Sequence, residues 1–152
     1  MNTGDLIPDF ELPSDQDRTV RLSEELAKGP VVLFFYPKAM TPGCTQESCM
    51  FRDRATEFDE LGAQRIGISL DSVERQKRFT EKNNFDFPLL SDKGGKVAKQ
   101  LGVKRSALPF TKRATFVIDT DRRVLAMIHS EFDIDKHGDA ALAVLRERAG
   151  SK

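Results

Sequence analysis

A chain of 152 residues with 39% apolar and 32% charged side chains has the composition of one globular domain spanning 1–152, long enough to bury a core without disulfide or metal staples. Its 24 basic and 24 acidic residues cancel, which argues against nucleic-acid or membrane-surface binding, because both select a basic excess. The start, MNTGDLIPDFELPSD, lacks the basic and apolar segments of a secretion signal, and the longest apolar run, VVLFFY at 31–36, is too short for a bilayer.

In chain order, DFELPSDQDRTVRLSE reads as an N-terminal β-hairpin around a polar turn at Ser14 to Arg18, and Ser23 is placed to cap a short helix. GPVVLFFYP is a continuous β-prone run closed by proline, the pattern of a strand buried on both faces. From Thr41 the period changes to helical through TPGCTQESCMFRDRATEFDEL, with Met50, Phe51, Phe58 and Leu61 on the apolar side. AQRIGISLDS returns to strand, Ser72 starts a charged helix through about Asn83, and FPLLSD is a short strand. GGKVAKQLGV gives a short helix stopped at Gly102. RATFVIDTDRRVLAMIHS is a hairpin turning at Thr120 to Arg123, and the chain closes on a helix from Asp135 with Leu142 and Leu145 inward. Strands alternating with helices and then a hairpin imply an α/β fold with a mixed central sheet flanked by helices, the architecture of the thioredoxin class.

The chemistry concentrates in PKAMTPGCTQESCMFRD at 37–53, which holds both cysteines. Cys44 follows a Pro-Gly turn and falls in the first helical turn, where unpaired backbone N–H groups and the helix dipole favour an anion. A helix N-terminus with a nearby cation stabilises thiolate over thiol, so Cys44 has the address of a nucleophile, and its small polar neighbours suit an exposed turn. Five residues of α-helix separate Cys44 from Cys49 by roughly 8.7 Å between Cα atoms, on different faces. A disulfide spans at most about 7 Å. Two such thiols join only if the helix unwinds locally; Cys49, beside Met50 and Phe51, reads equally as a small buried hydrophobe. Zinc is disfavoured, because Cys-x4-Cys with only His129 and His137 elsewhere is a poor ligand set. In the absence of a secretion signal, two cysteines point to a reducing compartment, with the cytoplasm as default.

FYPKAMTPGCTQESCMFRD resembles the active-site signature of the peroxiredoxins, Pro-x3-Thr/Ser-x2-Cys, at Pro37, Thr41 and Cys44. The second cysteine, Cys49, is similar to the subgroup called PrxQ or bacterioferritin comigratory protein. PDFELP, ISLDS and RATFVID extend the resemblance over nearly the whole chain. The resemblance implies a thioredoxin-like fold with an N-terminal hairpin and thiol-dependent reduction of hydrogen peroxide and organic hydroperoxides, without cofactor or metal. It implies Cys44 as the peroxidatic thiolate, Thr41 as a hydroxyl partner of thiolate and peroxide, Pro37 as a shield against water and Arg113 as the active-site cation. Backbone N–H groups at Gly43 and Cys44 complete the substrate site. A Cys44–Cys49 disulfide, reduced by thioredoxin or a similar dithiol, and a monomeric state are implied likewise.

Lys112, Arg52 and Arg54 are alternative cations, and Leu108 and Phe110, around Pro109, are candidate pocket walls. Glu47 reads either as a local hydrogen-bonding group or as a solvated helix acid. Asp71, Asp92, Asp119 and Asp121 read as solvated turn residues. DKGGKVAK lacks the residues of a phosphate loop and reads as a turn before a helix. Among competing functions, a disulfide reductase wants Cys-x-x-Cys, and a non-catalytic client-binding module leaves the Pro-Thr-Cys constellation idle.

Overall fold

The computed structural model describes residues 1–105, 108 and 110–151. An N-terminal hairpin pairs β1 (Glu11–Pro13) with β2 (Thr19–Arg21) and runs into α1 (Leu22–Leu26). A five-stranded sheet follows in the order β5-β4-β3-β6-β7, with β3 (Val31–Phe35) at its centre. On one side of β3 lie β4 (Gln64–Ser69) and β5 (Leu89–Ser91), both parallel to their neighbours. On the other lie β6 (Ala114–Ile118) and β7 (Val124–His129), both antiparallel. The parallel half is connected through α2 (Pro42–Asp53), α3 (Ala55–Glu60) and α4 (Val73–Asn83); α5 (Lys96–Gln100) leads to β6, and α6 (Ile134–Gly150) ends the fold. The mixed α/β sheet is the one expected.

The central strand is apolar throughout because both of its faces are covered. Val31, Leu33 and Phe35 enter one cluster with Ile7 and Phe10 from the segment before the hairpin, Val20 from β2 and Leu26 from α1. Val32, Phe34 and Tyr36 enter the other with Phe51, Phe58, Phe79 and Leu142 from the helices opposite. The second cluster is largely aromatic, and Phe34 stacks on Phe51 with ring centroids 4.2 Å apart. That stack fastens α2 to the strand it follows. Gly67 on β4 leaves the room: a Cβ there would stand 2.9 Å from the Phe34 ring and 2.7 Å from Leu89.

Four local expectations are corrected. The helical stretch from Thr41 is two helices, broken at Arg54 (φ −100°, ψ 20°), whose guanidinium pairs with Glu57 and with Asp139 on α6. Ser23 does not cap α1, which begins one residue earlier; its N–H and hydroxyl both donate to Asp9. Asp71 and Asp92 are not solvated turn acids. Asp71 accepts from Ala39 N–H, the Ser69 hydroxyl and Arg75. Asp92, 1% exposed, accepts from the Val97 and Ala98 N–H groups, so a carboxylate already serves the α5 start that follows the two glycines. Ser72 caps α4 as expected, accepting from Arg75 N–H.

Truncating Phe51 removes the ring between α2 and β3. Phe51→Ala is expected to cost about 3–5 kcal/mol, read as a lowered midpoint in urea-induced unfolding.

Candidate active site

The site is built where β3 leaves the sheet. Its chain continues through Tyr36 and Pro37 into a loop that Met40 turns by adopting φ 66°, an uncommon conformation for a side chain larger than asparagine. Thr41 is extended (φ −83°, ψ 154°) and precedes α2, whose first residue is Pro42, a favoured start because its missing N–H would have no helical partner. The loop is pinned from outside. Asp71 accepts from Ala39 N–H at 2.7 Å, Arg75 donates to Ala39 O at 3.1 Å, and the Thr111 hydroxyl donates to Tyr36 O at 3.3 Å.

Cys44 lies in the first turn of α2 as a free thiol, fully buried. The expectation of an exposed turn is corrected: the aromatic cluster takes in the Cys44 side chain. Two donors reach its sulfur, the Lys38 N–H at 3.5 Å and Arg113 Nη1 at 3.6 Å. Gly43 permits that approach, since a Cβ there would lie 3.0 Å from Arg113 Nη2.

Arg113, just before β6, is itself held on several sides. Its Nε donates to Glu131 O at 3.2 Å, its N–H donates to Glu131 Oε2 at 3.0 Å, and its Nη1 donates to Glu47 Oε1 at 2.7 Å. Burial works against the Arg113 charge, but Glu47 and the Cys44 sulfur outweigh it, and its pKa is raised. Glu47 responds oppositely. With no exposure at all, its carboxyl is pushed up to about 8 by burial, which Arg113 offsets only in part. Burial thus favours the protonated carboxyl, while the pair with Arg113 favours the carboxylate. Glu47 holds the guanidinium by this hydrogen bond, and the same Nη1 is directed at the Cys44 sulfur.

Beneath Glu47 sits His137 on α6, buried, with Nδ1 3.9 Å from Glu47 Oε2, an oxygen that has no hydrogen-bond partner. His137 Nε2 lies 2.8 Å from Ser130 O, so that nitrogen carries the proton, and Nδ1 accepts from the Thr115 hydroxyl at 2.7 Å. Burial lowers the His137 pKa, which favours the neutral ring.

Cys44, Gly43 and Arg113 are thus brought together. Pro37 lies beside them and lines a cavity with Lys38, Leu70, Asp71 and Phe110. Phe110 is therefore a wall of that cavity, whereas Leu108 is an exposed side chain; Pro109 lies outside the described residues. Thr41 stands at the helix entrance, but its hydroxyl donates to Lys38 O at 2.8 Å and not to the sulfur. Cys49 is a free thiol on the same unbroken helix, and its polar contact is Asn83 Oδ1 at 3.7 Å. Arg52 and Arg54 turn to Asp53, Asn83, Glu57 and Asp139, leaving Arg113 as the cation bonded to Cys44. Glu47 is no solvated acid. His137, Thr115 and Glu131 are additions that the sequence signals poorly: a lone histidine on a helix and a threonine in a strand are ordinary core residues. Among the described residues no three His, Cys, Asp or Glu side chains converge as a metal site.

A free cysteine in the first turn of a helix beside a mixed sheet, with a guanidinium aimed at its sulfur, is the arrangement of a thiol-based redox enzyme. Residues 3–127 match the AhpC/TSA family. The crystal structure of peroxidoxin BcpB from Mycobacterium tuberculosis is similar at 59% identity and a TM-score of 0.92, over 97% of each chain. Peroxiredoxin Bcp of Escherichia coli is 37% identical over 155 residues, covering 98% of each protein. A Xanthomonas campestris bacterioferritin comigratory protein, described through trapped intermediate and ligand complexes in alkyl peroxide reduction, is 31% identical with a TM-score of 0.82, over 92% of each chain. The chain belongs to the AhpC/TSA family, among the PrxQ and bacterioferritin comigratory peroxiredoxins. It has their thioredoxin-like fold and is a thiol-dependent peroxidase with cysteine-based chemistry.

The Glu47 carboxyl binds its proton more tightly in the folded chain, at about 8 against an ordinary 4.5. Its contribution to stability is therefore full below the ordinary value and lost as pH rises through the raised one. Glu47→Gln is expected to flatten the fall in Tm between about pH 5 and about pH 8, measured by thermal unfolding at a series of pH values.

Proposed function

We propose that Cys44 is the peroxidatic residue and that the chain runs a two-cysteine cycle as a monomeric single domain. The Cys44 thiolate attacks one oxygen of a hydroperoxide, ROOH. A sulfur–oxygen bond forms, the O–O bond breaks, and RO⁻ leaves and takes up a proton to become an alcohol, or water when R is hydrogen. Sulfur has lost two electrons and is a sulfenic acid. The observation that carries this reading is the convergence of Arg113 Nη1 and the Lys38 N–H on the Cys44 sulfur. Both are fixed donors beside the locus where negative charge passes from sulfur to oxygen.

The other roles follow from position. Arg113 stabilises the departing oxygen. Pro37 and Phe110 line a mainly apolar cavity together with Lys38, whose N–H reaches the Cys44 sulfur, and such a cavity suits organic hydroperoxides as well as hydrogen peroxide; the alkyl peroxide chemistry named for the Xanthomonas relative supports the organic class. Thr41, with its proton committed to Lys38 O, offers oxygen lone pairs to the peroxide O–H. Gly43 contributes backbone at the helix start.

The Cys44 sulfenic acid then condenses with the Cys49 thiol, releasing water and forming a disulfide. Both cysteines lie on one intact helix, so this step requires α2 to unwind between them. Thioredoxin or a similar dithiol reduces the disulfide and restores both thiols. Such a cycle belongs in a reducing compartment, the cytoplasm; no helix of the described residues is long and apolar enough to cross a membrane.

The test is intact mass and free-thiol count after one equivalent of hydrogen peroxide. The unaltered chain is expected to lose two hydrogens and both thiols, while Cys49→Ser accumulates sulfenate at Cys44. Sulfenate persisting at Cys44 in the unaltered chain would instead assign resolution to an external thiol, and an unreactive Cys44 would end the reading. Arg113→Met is expected to slow the first step by about 10²–10³-fold, read by stopped-flow mixing with peroxide.

A further inference from the structure

The helix opening has a specific restraint. At the C-terminal end of α4, Asn83 makes two polar contacts with α2. Its Oδ1 faces the Cys49 sulfur at 3.7 Å, and its backbone oxygen accepts from Arg52 Nη1 at 2.5 Å. The Asn83 amide nitrogen donates to Phe79 O at 3.0 Å, one turn back on α4. The side chain is therefore oriented by its own helix and presents its oxygen to the thiol. Cys49 and Arg52 are three residues apart, neighbours on one face of α2, so a single residue of α4 grips that face at both points. The grip lies apart from the Arg113 side of the site, where Cys44 and Glu47 are held.

We propose that Asn83, with Arg52, is a latch for the resolving thiol. It holds Cys49 on the folded helix and so sets how long the Cys44 sulfenic acid survives before the disulfide forms. Asn83 is a positioning residue: it acts through Cys49 and touches neither Cys44 nor the peroxide. The inference rests on the proposed Cys44–Cys49 cycle. While the latch is closed the sulfenic acid persists, open to a second peroxide molecule that carries it to sulfinic acid. When it opens, Cys44–SOH and Cys49–SH yield the disulfide and one water. The latch thus sets the balance between turnover and overoxidation.

Loss of one weak S–H···O hydrogen bond, about 0.5–1 kcal/mol, shifts a local opening equilibrium by about 2- to 5-fold. Asn83→Ala is expected to speed disulfide formation from the sulfenate by a factor in that range. The second-order reaction of Cys44 with peroxide should stay unchanged, and sulfinic acid at high peroxide should decrease in proportion. Arg52→Met, which leaves the Asn83 side chain in place, should act in the same direction and serves if Asn83→Ala folds poorly. Rapid-quench thiol trapping with mass spectrometry reads each step separately. Val20→Ala weakens the core on the opposite face of the sheet without touching α2, and separates the latch from general loosening. Disulfide formation at the original rate in both latch variants, or equal acceleration in Val20→Ala, would overturn the latch while leaving the two-cysteine cycle intact. Failure of the unaltered chain to form the disulfide at all would overturn the cycle, a result read before any variant is compared.

Discussion

One guanidinium organises this molecule's chemistry. Arg113 Nη1 reaches both the Cys44 sulfur and the Glu47 carboxyl from the start of β6, while Glu131 secures the rest of its side chain. Burying a cation costs free energy unless anionic or strongly accepting groups surround it. Here the surroundings are graded. Burial pushes the Glu47 carboxyl up to about 8, which weakens its negative charge, and the same guanidinium nitrogen reaches the Cys44 sulfur. The polar chain Cys44–Arg113–Glu47 continues toward His137 and Thr115, giving the buried end of α2 a polar floor inside an otherwise aromatic cluster.

The fold supplies this geometry through the central strand. Because β3 is covered on both faces, its C-terminal end is rigid, and the loop beyond it is pinned by Asp71, Arg75 and Thr111. β6 pairs antiparallel to β3, with Phe35 opposite Ala114, so Arg113 emerges at the same edge where α2 begins. Cys44 and Arg113 are distant in the chain and adjacent in space for that reason. The aromatic stack of Phe34 on Phe51 then fixes α2 along the sheet.

The two ends of α2 face opposite demands. In the proposed cycle the Cys44 sulfur is held by donors from outside α2, Lys38 N–H and Arg113 Nη1, whereas the helix between Cys44 and Cys49 opens for the two sulfurs to meet. Restraints of different strength serve these demands. The Arg113 cluster is buried and charge-assisted. The contacts at Cys49 and Arg52 are partly exposed and centred on a single asparagine.

Much of this was legible in the amino-acid order. The apolar run at 31–36, the Pro-Gly turn and the helical period after it located strand, turn and the cysteine-bearing helix start, because each depends on neighbours in the chain. The Pro37, Thr41, Cys44 pattern with Cys49 carried the family. Burial of Cys44 and of Glu47, the recruitment of His137 and Thr115 and the Asn83 contact were decided only in three dimensions. A glutamate three residues after Cys44 has the same local pattern whether its helix face meets water or the interior. The break at Arg54 and the buried roles of Asp71 and Asp92 likewise answer to partners far along the chain. Local pattern determines which groups stand at a helix start; long-range packing removes the water around them, and that removal sets charge, proton and reactivity.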